Sequence, residues 1–391
     1  MAKKLVVLGG GPGGLIVANL LADYYETVVV DRRKETVFQP GQLFVAFKGE
    51  SPNKYKKEIK EVLNPKAKFI QSEVTKIDLD NREVLLKDSS KIRYEYLVVS
   101  LGVEFNYEMI EGLKENFEKF GDYYSGLEFS AKFYENFKTL RKGQLVITVA
   151  DPVYKCVPAP HKGAALAADT LRKMGSQAKV VLTVPFPKVY PAEKLADEYE
   201  KALRKHGVEI KTMFTLDRID HEEKKIYSLE GEELSFDLLA VIPPHKGPSV
   251  EVDPSNVRDS DGYFKVDEYK LNIIGYDDAF AIGDNASLPT AKSGVGAHLQ
   301  AEVVADNLLG YEAKFNGRTF CPCISNDTAS FVISDYDHPP VRVRCSRFKR
   351  LIEEVFIAGY WSFLKYPRIW RPLMETMFEA TKPSVLGEIG W

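Results

Sequence analysis

A duplicated α/β fold is what the sequence predicts: two parallel-sheet units, each carrying an antiparallel β insertion, followed by an amphipathic helical tail. Three observations predict it. The turn Gly9-Gly10-Gly11-Pro12-Gly13-Gly14 lies directly between an apolar strand pattern and a helical one. The strand–turn–helix–strand order recurs from residue 144. Each unit is trailed by a polar, strand-forming stretch bounded by turn residues.

Taken in order, Leu5 to Leu8 is an apolar strand, Leu15 to Tyr24 a helix, and Thr27 to Val30 a buried strand closed by Asp31. Residues 68–99 read as an antiparallel insertion. The second unit consists of a strand at 144–150, a helix from Gly163 to Met174 and a strand at 179–184. A further hairpin pattern follows, then a strand near 279 and a helix from Gly294 to Leu309. The expected division is a first domain of residues 1–105 with 270–325, a second of 106–269, and a C-terminal region of 326–391.

Composition narrows the function. A chain of 391 residues, 45% hydrophobic and 28% charged, is ordinary globular material, which argues against disorder and membrane integration. A net charge of −3 gives no sign of nucleic-acid binding. Four cysteines are too few for a secreted disulfide scaffold and lack metal-site spacing. No apolar run is long enough to span a bilayer, and MAKKLVVLGGG runs straight into glycines. The expected location is therefore the cytosol or the cytoplasmic face of the cell membrane.

The first turn satisfies G-x-G-x-x-G. Gly9 allows the tight bend, Gly11 lets backbone approach a pyrophosphate, and Gly14 permits close helix–strand packing, with Pro12 and Gly13 between them. The helix N-terminus offers N–H groups and partial positive charge to phosphate. Asp31, with Arg32 behind it, stands where a carboxylate would take ribose hydroxyls. Two distant segments point to FAD. YEYLVVSLG (94–102), ending in Gly102, resembles a strand of FAD-dependent disulfide-reductase-like enzymes. AFAIGDNA (279–286) resembles their second FAD motif, which implies that Gly283 and Asp284 hold the ribityl chain. The second unit has no such fingerprint: its strand runs into Ala150-Asp151-Pro152-Val153-Tyr154-Lys155-Cys156. That opposes an NADH site and leaves a thiol as redox partner.

Isolated cysteines are most often small buried hydrophobes, but here they sit in motifs. KCVPAPHKGAAL (155–166) and FNGRTFCPCISND (315–327), with Lys292-Ser293-Gly294 between them, resemble the sulfide:quinone oxidoreductases and the related flavocytochrome c sulfide dehydrogenases. The resemblance runs from residue 1 to about 345. It implies Cys156 and Cys323 as the redox pair, Cys323 facing the flavin, and Lys292 stabilising charge on the reduced ring. Hydrosulfide would open their disulfide to a persulfide and a thiolate, and the thiolate would reduce the flavin. Cys321 is an alternative to Cys323 or a second sulfur carrier, and residues two apart on a strand face the same way, so sequence does not separate the two. Cys345 reads as incidental.

Two departures stand out. A third cysteine common in the family is missing, and the family's glutamate after the cysteine loop is Lys162, preceded by His161 as an alternative base. The tail from Phe348 to Phe378 mixes aromatics with basic residues, which suits a membrane surface and access for quinone past Phe331, Tyr360 and Trp361. Pro367 and Pro372 should break it into short helices. The reading is a monotopic, FAD-dependent sulfide:quinone oxidoreductase, with a homo-oligomer left open. The alternatives are a type II NADH:quinone dehydrogenase-like enzyme and a non-catalytic flavoprotein sensor or partner.

Overall fold

Strands that are apolar on both faces need cover on both faces, and this chain supplies it twice. The computed structural model describes residues 2–324, 329–342 and 346–381. The strands that build its two parallel sheets are β1 (Lys4–Leu8), β2 (Glu26–Asp31), β3 (Lys68–Gln71) and β4 (Tyr96–Val99). They continue with β5 (Gln144–Val149), β6 (Lys179–Thr183), β7 (Val208–Lys211), β8 (Leu238–Ile242) and β9 (Ala279–Ala281). The first sheet has the order β9-β4-β1-β2-β3 and the second β7-β6-β5-β8. All their pairings are parallel. Leu5–Leu8 and Leu145–Val149 are buried, so β1 and β5 each form the centre of a core.

The helices that position the site are α1 (Pro12–Leu21), α2 (Gly41–Lys48), α3 (Ala159–Lys173) and α4 (Gly294–Leu308). The C-terminal region adds an antiparallel pair, β10 (Thr319–Ile324) and β11 (Ala329–Ser334), then α5 (Arg347–Lys365) and α6 (Pro367–Thr381).

The structure corrects three expectations. Residues 68–99 are not one antiparallel insertion. Their two ends, β3 and β4, join the first parallel sheet, and only the strands between Val74 and Arg93 form hairpins. The connection from β2 to β3 runs through α2 and the short helix Ile59–Val62, the long crossover that a parallel pairing requires. Helix α3 starts at Ala159, not Gly163, because Pro160 falls in the first turn, where a missing N–H costs nothing. Pro367 does open a new helix, but Pro372 lies inside α6 without ending it.

Helix α5 is two-faced. Phe348, Leu351 and Val355 are exposed on one side, whereas Glu353, Tyr360, Phe363 and Leu364 are buried. The buried side packs on the first unit, with the Tyr360 ring 4.5 Å from that of Phe38 and Asn19 Nδ2 donating to the Leu364 carbonyl at 2.6 Å. Arg371 binds both Asp306 oxygens, at 2.8 and 3.0 Å, and so clamps α6 to α4. Among the described residues, no helix is long and apolar enough to cross a membrane.

Candidate active site

The first strand-to-helix turn is shaped by what it excludes. Gly9 has a φ of +106°, and a Cβ there would lie 2.1 Å from the Ser100 carbonyl oxygen. A Cβ on Gly14 would stand 2.0 Å from the Gly9 carbonyl oxygen. These contacts need glycine. Gly13 shows where the elements meet, since a Cβ there would touch Ser100 after β4, Ile282 after β9 and Ala297 of α4. Around that meeting point, a Cβ on Gly11, Gly102 or Gly294 would encounter nothing within 4 Å. The backbone is bare there, as a cradle for a pyrophosphate must be. Helix α1 has no side-chain cap at its N-terminus, which leaves its first N–H groups to a ligand.

Acidic groups flank this cradle. Asp31 is buried and accepts N–H bonds from Gly10 and Arg33, both at 2.7 Å. Arg32, expected beside it, is exposed, and the backbone of Arg33 makes the contact instead. Asp284 follows β9, and no described group donates a hydrogen bond to its carboxylate. Burial pushes its pKa up, opposed by Lys155 and Lys292. A half-buried carboxylate with no donor among the described residues fits a ligand hydroxyl. Gln300 accepts the Gly283 N–H at 2.6 Å and Asn285 accepts the Gly102 N–H at 3.1 Å, fixing the loop. Lys292 does the same from below: its ammonium binds the carbonyls of Asp284 and Ala286 at 2.9 and 3.0 Å, with the Tyr263 ring 3.9 Å away.

The second turn is filled where the first is bare. Tyr154 is buried in it, and Lys155 reaches Gln39 at 2.9 Å and lies 4.9 Å from the centre of the Phe105 ring. Cys156 follows with a φ of +53°, in the left-handed region that L-residues seldom adopt. Its N–H donates to the Lys292 carbonyl at 2.7 Å, which ties the loop to the start of α4. Tyr124 donates to the Lys155 carbonyl from the other side.

Among the described residues, the sulfur beside Cys156 is that of Cys321, on β10, with Sγ atoms 3.9 Å apart. The side chain of Cys323, expected as the partner, lies outside the described residues, as does Cys345. Lys162 Nζ is 3.9 Å from Cys156 Sγ. The Cys321 contact, then Lys162 and Lys155, bring the Cys156 thiol down to about 6 against the effect of burial. The N-terminus of α3 adds its own partial positive charge at this thiol.

His161 is not in this group. Its Nε2 lies 2.6 Å from the Val189 carbonyl oxygen, and its ring packs against Tyr199 at 4.8 Å and Tyr190 at 5.2 Å. Burial pushes its pKa down to about 4, so it stays neutral and committed to the core. Phe331 is also core, buried against Phe320. Trp361 is half-buried. Sequence reasoning missed Lys155, Asn285, Gln300 and Glu353. Lys155 and Asn285 stood inside motifs already singled out, whereas nothing in the sequence marked Glu353. That residue is buried on α5, and burial raises its carboxyl to about 7.

The chain matches the pyridine nucleotide-disulphide oxidoreductase family over residues 3–134 and 163–301; the interval between holds Cys156. It is 30% identical over 386 residues to the mitochondrial sulfide:quinone oxidoreductase of Dictyostelium discoideum, covering 92% of this chain and 85% of that one. The solved structure of the sulfide:quinone oxidoreductase from Aquifex aeolicus superposes with a TM-score of 0.84 at 17% identity, covering 97% and 95% of the two chains. NDH2 of Plasmodium falciparum, solved with NADH, shares the fold at a TM-score of 0.73 and 14% identity, with 98% and 99% covered.

Proposed function

Because the chain belongs to the sulfide:quinone oxidoreductase family of flavoprotein disulfide reductases, we propose that it oxidises sulfide at Cys156 and Cys321 and delivers the electrons through FAD to membrane quinone. The observation that carries this reading is a pair of sulfurs 3.9 Å apart, with Cys156 in the turn that, in a dinucleotide site, would need glycine and Cys321 beside it on β10.

The bare cradle suits FAD: the Gly9–Gly14 turn and the α1 N-terminus would hold the pyrophosphate, Asp31 a ribose, and Asp284 the ribityl hydroxyls. Bound there, FAD would supply the two-electron acceptor that a thiol pair needs and the link to a quinone.

The cysteines do the sulfur chemistry. Oxidised, they would close to a disulfide of about 2.05 Å. Hydrosulfide breaks that S–S bond by forming a new one to Cys321, which leaves a persulfide there and a thiolate on Cys156. The direction follows from the leaving group, because the more acidic thiol departs faster. Lys162 and Lys155 lower the charge cost of that thiolate. The exposed face of α5 (Phe348, Leu351 and Val355), continued by Ile369 and Leu373 of α6, supports contact with a membrane surface where quinone dissolves.

Anaerobic mixing of the purified protein with sulfide, without quinone, tests the reading through the flavin absorbance. Fast bleaching that disappears in Cys156→Ser is the expected result. Bleaching by NADH but not by sulfide would overturn it.

A further inference from the structure

The thiol site lacks a base where the family pattern would put one, since position 162 is lysine. A carboxyl reaches the same place from elsewhere. Pro40, Leu43, Phe44 and Lys48 on the α2 side, Lys162 and Leu166 of α3, Pro322 of β10 and Glu353 of α5 line a cavity of about 20 Å³. That volume holds one molecule of roughly the size of water. The cavity reaches the thiol pair through Lys162, on the Cys156 side. Lys162 lines it and lies 3.9 Å from Cys156 Sγ, while Pro322 adjoins Cys321 in the chain. Glu353 is 3% exposed and Lys162 7% exposed. No described N–H or O–H donates to the Glu353 carboxyl, so its oxygens are available to whatever enters. At the outer end Lys48 is exposed.

We propose that Glu353 is the general base of sulfide oxidation, taking a proton from hydrogen sulfide in this cavity while the Lys162 ammonium holds the resulting hydrosulfide. The inference rests on the proposed function. Its atoms balance: hydrogen sulfide and the Glu353 carboxylate give the hydrosulfide anion and the carboxylic acid. The hydrosulfide then opens the Cys156–Cys321 disulfide, and the proton leaves Glu353 for water at the Lys48 end. The charges suit this task. Burial raises the Glu353 carboxyl to about 7, opposed by Lys162 and Arg350, with Cys156 raising it further. A base poised near neutrality serves a neutral acid such as hydrogen sulfide best.

Glu353→Gln keeps the shape and removes the base. In anaerobic stopped-flow mixing with sulfide, the variant should bleach its flavin more slowly on the acid side of neutrality, where sulfide is mostly hydrogen sulfide, by up to about a hundredfold, a typical general-base contribution. The deficit should close at higher pH, where sulfide arrives already ionised; a uniform deficit across pH, or no deficit, overturns the proposal. A second measurement needs no turnover. Alkylation of Cys156 in the reduced protein should move to lower pH in Glu353→Gln and to higher pH in Lys162→Met, since one change removes a negative neighbour and the other a positive one. Unmoved profiles also overturn the proposal. If sulfide does not bleach the unaltered protein, the sulfide reading itself falls. If it bleaches both proteins alike, only the role of Glu353 falls.

Discussion

The two strand-to-helix turns occupy the same place in their sheets and solve opposite problems. Between β1 and α1 the chain uses Gly9 to Gly14, with five glycines in six residues. Between β5 and α3 it uses residues 150–158, with none. Both turns lie at the carboxyl edge of a parallel sheet, where open α/β folds bind ligands. Both precede a helix N-terminus, which favours an anion. Under the proposed function the first anion is foreign, so side chains must be absent. The second is the chain's own thiolate, so a side chain must be present and aimed, and Cys156 there has a φ of +53°.

The contrast breaks most visibly in the first turn. Gly14→Val forces a side chain against the Gly9 carbonyl, which already leaves only 2.0 Å for a Cβ. We expect the purified variant to retain no flavin, read as the ratio of flavin to protein absorbance. Val153→Gly, at an exposed position in the second turn, should keep its full flavin complement. Equal flavin loss in both would mean that the turns are not divided between cofactor and thiol.

The next largest effect separates the neighbouring cysteines. Cys321→Ser should lower the rate of flavin reduction by sulfide at least about a thousandfold, as loss of a nucleophilic centre does. Cys323→Ser should leave that rate unchanged. The reverse result would return the redox role to Cys323.

How much of this was legible depended on what kind of constraint each residue met. The glycine turn was legible because a backbone that must bend at Gly9 and pack at Gly14 admits one residue type. Parallel and antiparallel pairing was not, because KFIQ and YLVV carry no mark of which neighbour they join; the crossover through α2 and Ile59–Val62 decides it. Cys321 and Cys323 share a strand face, so alternation could not choose between them. His161 looked like a base because it follows the cysteine loop, yet one helical residue's difference in direction sends it to Tyr190 and Tyr199 while Lys162 meets the sulfur. Glu353 was the least visible. Beside Glu354 it reads as half of a solvated acidic pair, and only the docking of α5 turns one of them inward.

That inward turn leads to the smallest effect, and it sets the two regions against each other once more. Asp31 is a buried carboxylate that accepts two backbone N–H bonds and one from the Arg33 guanidinium, whereas Glu353 is a buried carboxyl with no described donor. A charge without hydrogen bonds is costly to bury. The folded-state pKa of Glu353, about 7, lies above its ordinary 4.5, chiefly through burial. The fold therefore favours the protonated form. Below pH 4.5 the group is neutral in both states and carries no penalty. As pH rises toward 7 the unfolded chain ionises first, and the fold loses up to about 3 kcal/mol relative to a neutral group. Glu353→Gln has no proton to lose there. Thermal melts of the two proteins should coincide near pH 4.5 and diverge by a few degrees at pH 8, with the variant the more stable. A variant equally or less stable at pH 8 would mean that Lys162 and Arg350 already compensate the charge. The carboxyl would then be held as firmly as Asp31, and Glu353 of α5 would be a structural part of the thiol site.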